Sequence, residues 1–129
     1  MVLRLRFGLV EILLTGDAGP EFESSFTRDP DSPPIRVLKV GHHGSKTSSS
    51  EAFLDAVEPR LALVSVGAGN TYHLPTPSVM HALAAHGAQV LRTDLLGTIV
   101  ARTDGHRVIV DAAGDSWDLP PPSISSRPR

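Results

Sequence analysis

Two short polar loops in the sequence carry side chains of the types that bind metal ions. Asp17 closely follows the apolar run Val10–Leu14, and His42 and His43 follow the apolar run Ile35–Val40. Neutral imidazole and carboxylate suit zinc or manganese, and a carboxylate that bridges two metal ions helps to activate water for phosphoester hydrolysis. The same residue types are common in ordinary turns, so a solvated loop is the alternative interpretation.

Polar residues directly after the two histidines could contact a phosphate group. Ser45 provides a hydroxyl and Lys46 an ammonium group, and both groups are frequent contacts of phosphate oxygens. Capping of the next helix by Ser45 and simple solvation of Lys46 are the alternatives, since serines often cap helices and lysines are mostly exposed.

The elements that must position these loops alternate between strands and helices. Apolar periodicity predicts strands over 3–7, 10–14, 35–40, 61–66 and 90–92, with 16–34 mostly loop apart from one short helical turn. Helices are expected after a capping box formed by Ser48 and Glu51, and from Thr76 as the N-cap. Asp104-Gly105 indicates a two-residue hairpin between strands over 98–103 and 106–110. The pattern predicts an α/β (mixed α+β) fold in which parallel strands bring Asp17 and the histidines to one sheet edge.

Length and composition limit the classes of protein that remain. The chain has 129 residues, 40% of them hydrophobic, and a formal net charge of -2, which indicates one ordinary globular domain. The absence of cysteine excludes disulfides, thiolate metal sites and thiol nucleophiles. No apolar run approaches the roughly 20 residues of a membrane span, and the balanced charge disfavours a dedicated nucleic-acid scaffold. The expected boundaries are a domain over 1–113 and a disordered Pro/Ser-rich tail over 114–129.

The order of the motifs resembles the C-terminal half of the metallo-β-lactamase domain in the ComEC family of competence DNA-uptake proteins. The similar segments are LLTGD at 13–17, LKVGHHGSKTSSSEAFLDAVEPRLALVSVG at 38–67, NTY at 70–72 and LRTDLLGTI at 91–99. The resemblance covers about 2–110, and the pairing of LLTGD with HHGSKTSSS is specific to that family. It implies half of a four-layer αββα sandwich and metal-dependent hydrolysis of DNA phosphodiesters. It also implies Asp17 as the ligand that bridges two zinc or manganese ions, with His42 or His43 as a further ligand.

The chain departs from that family in two respects. The HxHxDH motif, which supplies the remaining ligands, is absent, and so is the membrane portion of the parent proteins. His73-Leu74-Pro75 stands where relatives have Gly-His-Pro, which makes His73 a candidate substrate contact rather than a ligand. We therefore expect a fragment that is inactive or weakly active alone, or a non-catalytic module that binds DNA, itself or a chain with the missing half. The surface expected to lack a cover consists of Leu3, Leu5, Ile12, Leu14 and Val37.

Overall fold

The computed structural model describes residues 1–123, which form two β-sheets and four α-helices. The strands are β1 Leu3–Phe7, β2 Val10–Leu14, β3 Ile35–Lys39, β4 Leu61–Val64, β5 Gln89–Arg92, β6 Ile99–Thr103, β7 Val108–Ala112 and β8 Asp115–Leu119. The helices are α1 Pro20–Ser25, α2 Glu51–Val57, α3 Pro77–Ala85 and α4 Thr93–Leu96, with a 3-10 turn over Gly41–Gly44. The predicted mixed α/β class is confirmed. No helix among these residues is long and apolar enough to cross a membrane.

The first five strands form one sheet in the order of the chain, β1-β2-β3-β4-β5. β1 is antiparallel to β2, whereas the strands from β2 to β5 run parallel to one another. The segments after β2, β3, β4 and β5 therefore leave the sheet at the same edge, the carboxyl edge of the parallel strands. This edge receives the loops that contain Asp17, His42 and His43.

One face of this sheet is covered by α1, α2 and α3. Phe53 and Leu54 of α2 and Leu83 of α3 pack with Leu38 of β3 and are almost completely buried. Each fully buried side chain of this size contributes roughly 1.5–3 kcal/mol through removal from water. The helices are short, so this packing rather than intrinsic helix propensity holds them in place.

The opposite face is covered in part by the second sheet, which has the order β6-β7-β8. Val108 and Val110 of β7 pack against Val37 and Leu61 in a second apolar cluster. The expectation that Val37 lacks a partner is therefore wrong: it is buried, because the second sheet lies over it. Ile12 and Leu14 are half-buried beside this cover.

The edge strand β1 lies outside this cover. Leu3 and Leu5 are 41% and 50% exposed, as the sequence predicts, and Phe7 is 60% exposed. The β6–β7 connection reaches only the far end of the strand, where Gly105 O accepts a 2.6 Å hydrogen bond from Leu9 N and the backbone packs on the Phe7 ring. The apolar side of β1 is thus mostly open to solvent.

Two boundary predictions near the C-terminus need correction. Asp115–Leu119, expected in the disordered tail, forms β8, because it pairs with β7 and places Trp117 against the second apolar cluster. The predicted two-residue hairpin is a four-residue connection over 104–107, since Thr103 pairs with Val108 and Asp104 Oδ1 accepts the backbone N–H groups of His106 and Arg107. The last part of the predicted tail, 124–129, lies outside the described residues.

The capping prediction for α2 is also wrong in detail. The helix begins two residues later than a Ser48 cap requires, with Ser50 as the N-cap residue. Ser48 Oγ instead donates to the carbonyl oxygens of Gly41 and Ser45. The backbone N–H groups of Ser49 and Ser50 donate to the carboxylate of Glu23 in α1. A carboxylate distant in sequence therefore accepts the N–H of the N-cap residue, which is the role that a capping box gives to its own glutamate.

Candidate metal and substrate site

Asp17 and His42 come together at the carboxyl edge of the first sheet. Asp17 lies in the turn after β2 and His42 in the 3-10 turn after β3, and Asp17 Oδ1 lies 3.9 Å from His42 Nε2. A 3.1 Å hydrogen bond from His42 N to Gly16 O joins the two loops directly. His42 Nδ1 lies 3.1 Å from Thr47 Oγ1, which orients the ring so that Nε2 is the nitrogen turned toward Asp17. The strand topology predicts this convergence.

His43 is oriented separately from this pair. Its Nδ1 lies 2.6 Å from the backbone oxygen of Ser65. Since a carbonyl can only accept a hydrogen bond, Nδ1 carries a proton, and in the neutral imidazole the lone pair is then on Nε2. This is the arrangement by which a backbone carbonyl commonly orients a metal-binding imidazole. Both histidines have left-handed backbone conformations, with φ of 46° and 55°.

Glycines allow the turn Gly41–Gly44 to sit close to the loops on either side of it. A Cβ added to Gly41 would lie 3.1 Å from Thr15 Oγ1, next to the loop that carries Asp17. A Cβ added to Gly44 would lie 2.4 Å from the Cβ of Pro75. Thr76 N and Thr76 Oγ1 both donate to Gly44 O, at 2.9 and 3.1 Å. The turn is thereby fastened both to the Asp17 loop and to the loop that precedes α3.

The other predicted site residues lie at the same edge but differ in their contacts. Ser45 Oγ lies 3.2 Å from Thr47 Oγ1, in the chain of contacts that reaches His42. Lys46 is exposed and lines shallow depressions beside the start of α2. His73 is exposed with φ of 55° and, within 1–123, forms no hydrogen bond with either site histidine. Their assignment to substrate binding stays a prediction.

A cleft of about 240 Å³ on the inner face of the sheet lies next to His43. Its walls are mostly apolar, and Lys39, Ser65 and Thr93 supply its polar groups. Thr93 Oγ1 accepts a hydrogen bond from Val66 N and lies 2.8 Å from Val66 O. The sequence did not predict this cleft, because its walls come from two sheets and no local sequence pattern indicates how far apart two sheets lie. The one available signal was Lys39, a charged residue on the face of β3 that otherwise carries the apolar Ile35 and Val37.

One further carboxylate at this edge is already neutralised by a partner. Asp94 in α4 accepts hydrogen bonds from Nε and Nη2 of Arg92, at 3.0 and 2.6 Å. These bonds hold the pKa of the Asp94 carboxyl below its usual range. A bidentate partner of this kind leaves Asp94 engaged with the guanidinium rather than free to bind a metal ion.

The side chains fit a metal ion in type but not in number. Among residues 1–123 there is no group of three or more His, Cys, Asp or Glu side chains arranged to hold a metal. Asp17 and His42 offer an oxygen and a nitrogen of the kinds that zinc and manganese accept. Catalytic sites usually use about three protein ligands for each metal. The described residues therefore supply part of a possible ligand set.

The fold and the site define a mixed α/β domain with a carboxylate and two imidazoles at the carboxyl edge of a largely parallel sheet. Comparison with known proteins relates the chain to a segment of competence-related proteins. It is 41% identical over 102 residues to ComE operon protein 3 of Bacillus subtilis. It is 43% identical over 99 residues to Competence protein ComA of Neisseria gonorrhoeae. It is 42% identical over 92 residues to Recombination protein 2 of Haemophilus influenzae.

These similarities cover most of this chain but a small part of each relative. The aligned segments are 79%, 76% and 71% of this chain and 13%, 14% and 11% of the three relatives, in the same order. No family model and no solved structure matches the chain. The similarity therefore supports a competence-related protein.

Proposed function

We propose that this chain carries part of the active site of a metal-dependent hydrolase that cleaves DNA phosphodiesters during competence-related DNA uptake. The observation that carries the proposal is the 3.9 Å approach of Asp17 Oδ1 to His42 Nε2. This approach joins the two motifs, LLTGD and HHGS, that give the sequence its resemblance to the ComEC family. The similarity to competence proteins supports the assignment to DNA uptake.

In this proposal each side chain at the edge has a distinct role. The Asp17 carboxylate and His42 Nε2 hold zinc or manganese, and His43 presents Nε2 because Ser65 O fixes its other nitrogen. The bound metal would supply an activated water and would stabilise charge on the phosphate oxygens. Ser45 and Lys46 contact the phosphate, and His73 lies at the rim of the substrate path.

The ligand set of this site requires completion from outside the described residues. Two or three ligands do not fix two metal ions, since each catalytic metal uses about three protein ligands and an open position. We propose that the remaining ligands come from a polypeptide with the HxHxDH motif of the resembled family. The 129-residue chain alone would then bind metal weakly and cleave DNA slowly or not at all.

Calorimetric titration with Mn²⁺ and with Zn²⁺ tests the metal assignment. We expect weak binding by the wild-type chain and a further loss of roughly tenfold or more in Asp17→Ala and in the double variant His42→Ala, His43→Ala, because even second-shell changes commonly cost 10–100-fold. His81→Ala is the matched control, since that imidazole is exposed on α3. Equal metal uptake by wild type and the site variants would contradict the proposal.

A non-catalytic role is a second candidate, favoured by the exposed apolar side of β1. Leu3, Leu5 and Phe7 lie open on an edge strand whose outer backbone groups have no strand partner within 1–123. Two such edges can pair about a twofold axis, which makes a second copy of the chain the partner to test. A dimer in size-exclusion chromatography that Leu5→Lys converts to monomer would support this role, and a wild-type monomer at all concentrations would oppose it.

A further inference from the structure

A single tyrosine stands out from the surface next to the candidate metal site. Tyr72 lies in the connection between β4 and α3, at the carboxyl edge where Asp17 and His42 also lie. Its side chain is 81% exposed, and it belongs to neither apolar cluster of the described structure. An aromatic ring in that position contributes little to folding stability, because its apolar surface stays in water.

The loop that presents Tyr72 is held by specific hydrogen bonds. Asn70 Nδ2 donates to Gly67 O at 3.0 Å and to Leu74 O at 2.8 Å. Asn70 Oδ1 accepts a 3.0 Å hydrogen bond from Leu74 N. One amide side chain thus bridges both sides of the loop and closes it around the tyrosine. The position of Tyr72 is therefore set by the fold rather than left to an open chain.

The same loop is fastened to the turn that carries the site histidines. Gly44 O accepts both donors of Thr76, and the Gly44 backbone packs on Pro75. Only a few residues separate Pro75 from Tyr72, and the intervening Leu74 is held by Asn70. The backbone at Tyr72 is consequently tied, through Leu74, Pro75 and Gly44, to the turn that carries His42 and His43.

We propose that Tyr72 stacks on an unpaired nucleobase of the nucleic-acid strand whose phosphate lies at the Asp17–His42 site. The inference rests on the proposed function, since it takes DNA as the ligand, and it deepens it by naming a residue that selects the form of DNA. Every base has a π-face on which an aromatic side chain can stack without regard to sequence. In a duplex those faces are covered by neighbouring bases, so Tyr72 favours single strands over double strands.

Fluorescence anisotropy with the full 129-residue chain tests this role, in buffer with EDTA so that no cleavage occurs. The probe is a labelled single-stranded oligothymidylate of about 12 nucleotides, within the range that one small domain covers. Tyr72→Leu should weaken binding roughly 5- to 150-fold, the range expected for the loss of one base–aromatic stack. Tyr72→Phe keeps the ring and should bind as wild type. Phe7→Leu removes another exposed aromatic ring, at the far end of the sheet, and should have no effect.

An abasic oligonucleotide of the same length isolates the contact with the base. It should bind wild type as weakly as the normal strand binds Tyr72→Leu, and the variant should not distinguish the two strands. Absence of single-strand binding by wild type, or equal binding by wild type and Tyr72→Leu, overturns the proposal. Metal titration of the same Tyr72→Leu protein keeps the two hypotheses apart. If metal binding still depends on Asp17 while Tyr72→Leu leaves DNA binding unchanged, the stacking role fails and the proposed function stands.

Discussion

The carboxylate of Glu23 accepts a 2.8 Å hydrogen bond from the backbone N–H of Ser50, the residue that caps α2. Its other oxygen accepts the N–H of Ser49 at 2.5 Å. Glu23 is only 6% exposed, and its bond to Ser49 is buried whereas its bond to Ser50 is partly buried. One side chain of α1 thereby satisfies backbone donors at the start of α2 and fixes the loop that follows the site histidines.

Replacement of this carboxylate should be costly for stability. Glu23→Ala leaves buried backbone donors without partners, which costs about 1–3 kcal/mol for a group of this kind. We expect a loss of about 2–3 kcal/mol in the free energy of unfolding, measured by urea denaturation. Glu21→Ala in the same helix is the control, because Glu21 is exposed, and it should change stability by less than about 0.5 kcal/mol. Similar values for the two variants would show that Glu23 does not support α2.

Gly44 should tolerate no side chain. Its φ is +82°, and a Cβ would lie 2.4 Å from the Cβ of Pro75. The left-handed conformation alone costs an alanine about 1–2 kcal/mol, and the clash adds to that cost. Gly44→Ala should therefore lower the free energy of unfolding by about 2 kcal/mol or more in thermal or urea denaturation. Gly67→Ala is the matched control in the same region, since nothing lies within 4 Å of its added Cβ, and equal losses in both variants would refute the explanation.

The second sheet should contribute to stability through its inner side only. Val110 is fully buried against the first sheet, whereas Val100 on β6 is 42% exposed. Val110→Ala removes two buried carbon groups and leaves a cavity, so we expect a loss of about 2 kcal/mol or slightly more. Val100→Ala should cost less than about 0.5 kcal/mol. Denaturation curves that show no difference between these variants would mean that the second sheet does not cover the first in solution.

His86, at the end of α3, lies close to two carboxylates of α2 and should make the stability of the protein depend on pH. Its Nδ1 lies 2.8 Å from Ala82 O, and its Nε2 lies 3.0 Å from Asp55 Oδ1 and 3.5 Å from Glu51 Oε2. The backbone hydrogen bond to Ala82 and, after it, the two carboxylates raise the pKa of His86 above its ordinary value of 6.5. A raised folded-state pKa means that the charged imidazole stabilises the folded protein.

The sign of the expected pH dependence follows from this shift. The stabilisation by His86 is complete below the unfolded pKa near 6.5 and is lost as the pH rises through the higher folded pKa. Both carboxylates are largely exposed, so the effect should not exceed about 1 kcal/mol. The double variant Glu51→Gln, Asp55→Asn should lose the part of this pH dependence that the carboxylates cause, and NMR titration should show a lower His86 pKa. An unchanged His86 pKa in that variant would exclude the two carboxylates as a cause.

The sequence predicts the parts of this fold that local patterns determine. The apolar runs of β2 and β3 give both strands to within one residue, and the parallel arrangement then predicts that Asp17 and His42 meet at one edge. β8 escaped prediction because DSWDL contains only two apolar residues, Trp117 and Leu119. It is a strand because of its pairing with β7, which is a non-local contact.

The partners of the site residues could not be predicted for the same reason. Glu23 supports α2 from a separate helix, and Ser65 O orients His43 from the end of another strand. The burial of Val37 likewise depends on a second sheet far along the chain. Local patterns predict metal-binding side chains at a sheet edge, and the contact of His42 with Thr47 is local, but the hydrogen bond that orients His43 arises only from the tertiary packing.

The order of the first sheet has a consequence for how the chain can assemble. Each of its five strands lies beside the strand made just before it, so no strand has to insert between two that are already paired. Growth of the sheet can therefore follow the order of synthesis. A nascent chain that has reached Arg92 holds the complete first sheet and its three covering helices, yet leaves Ile35 and Leu61 bare on the other face until β7 emerges. Between those two events the sheet exposes an apolar face, and exposed surface of this kind makes a folding intermediate prone to aggregation.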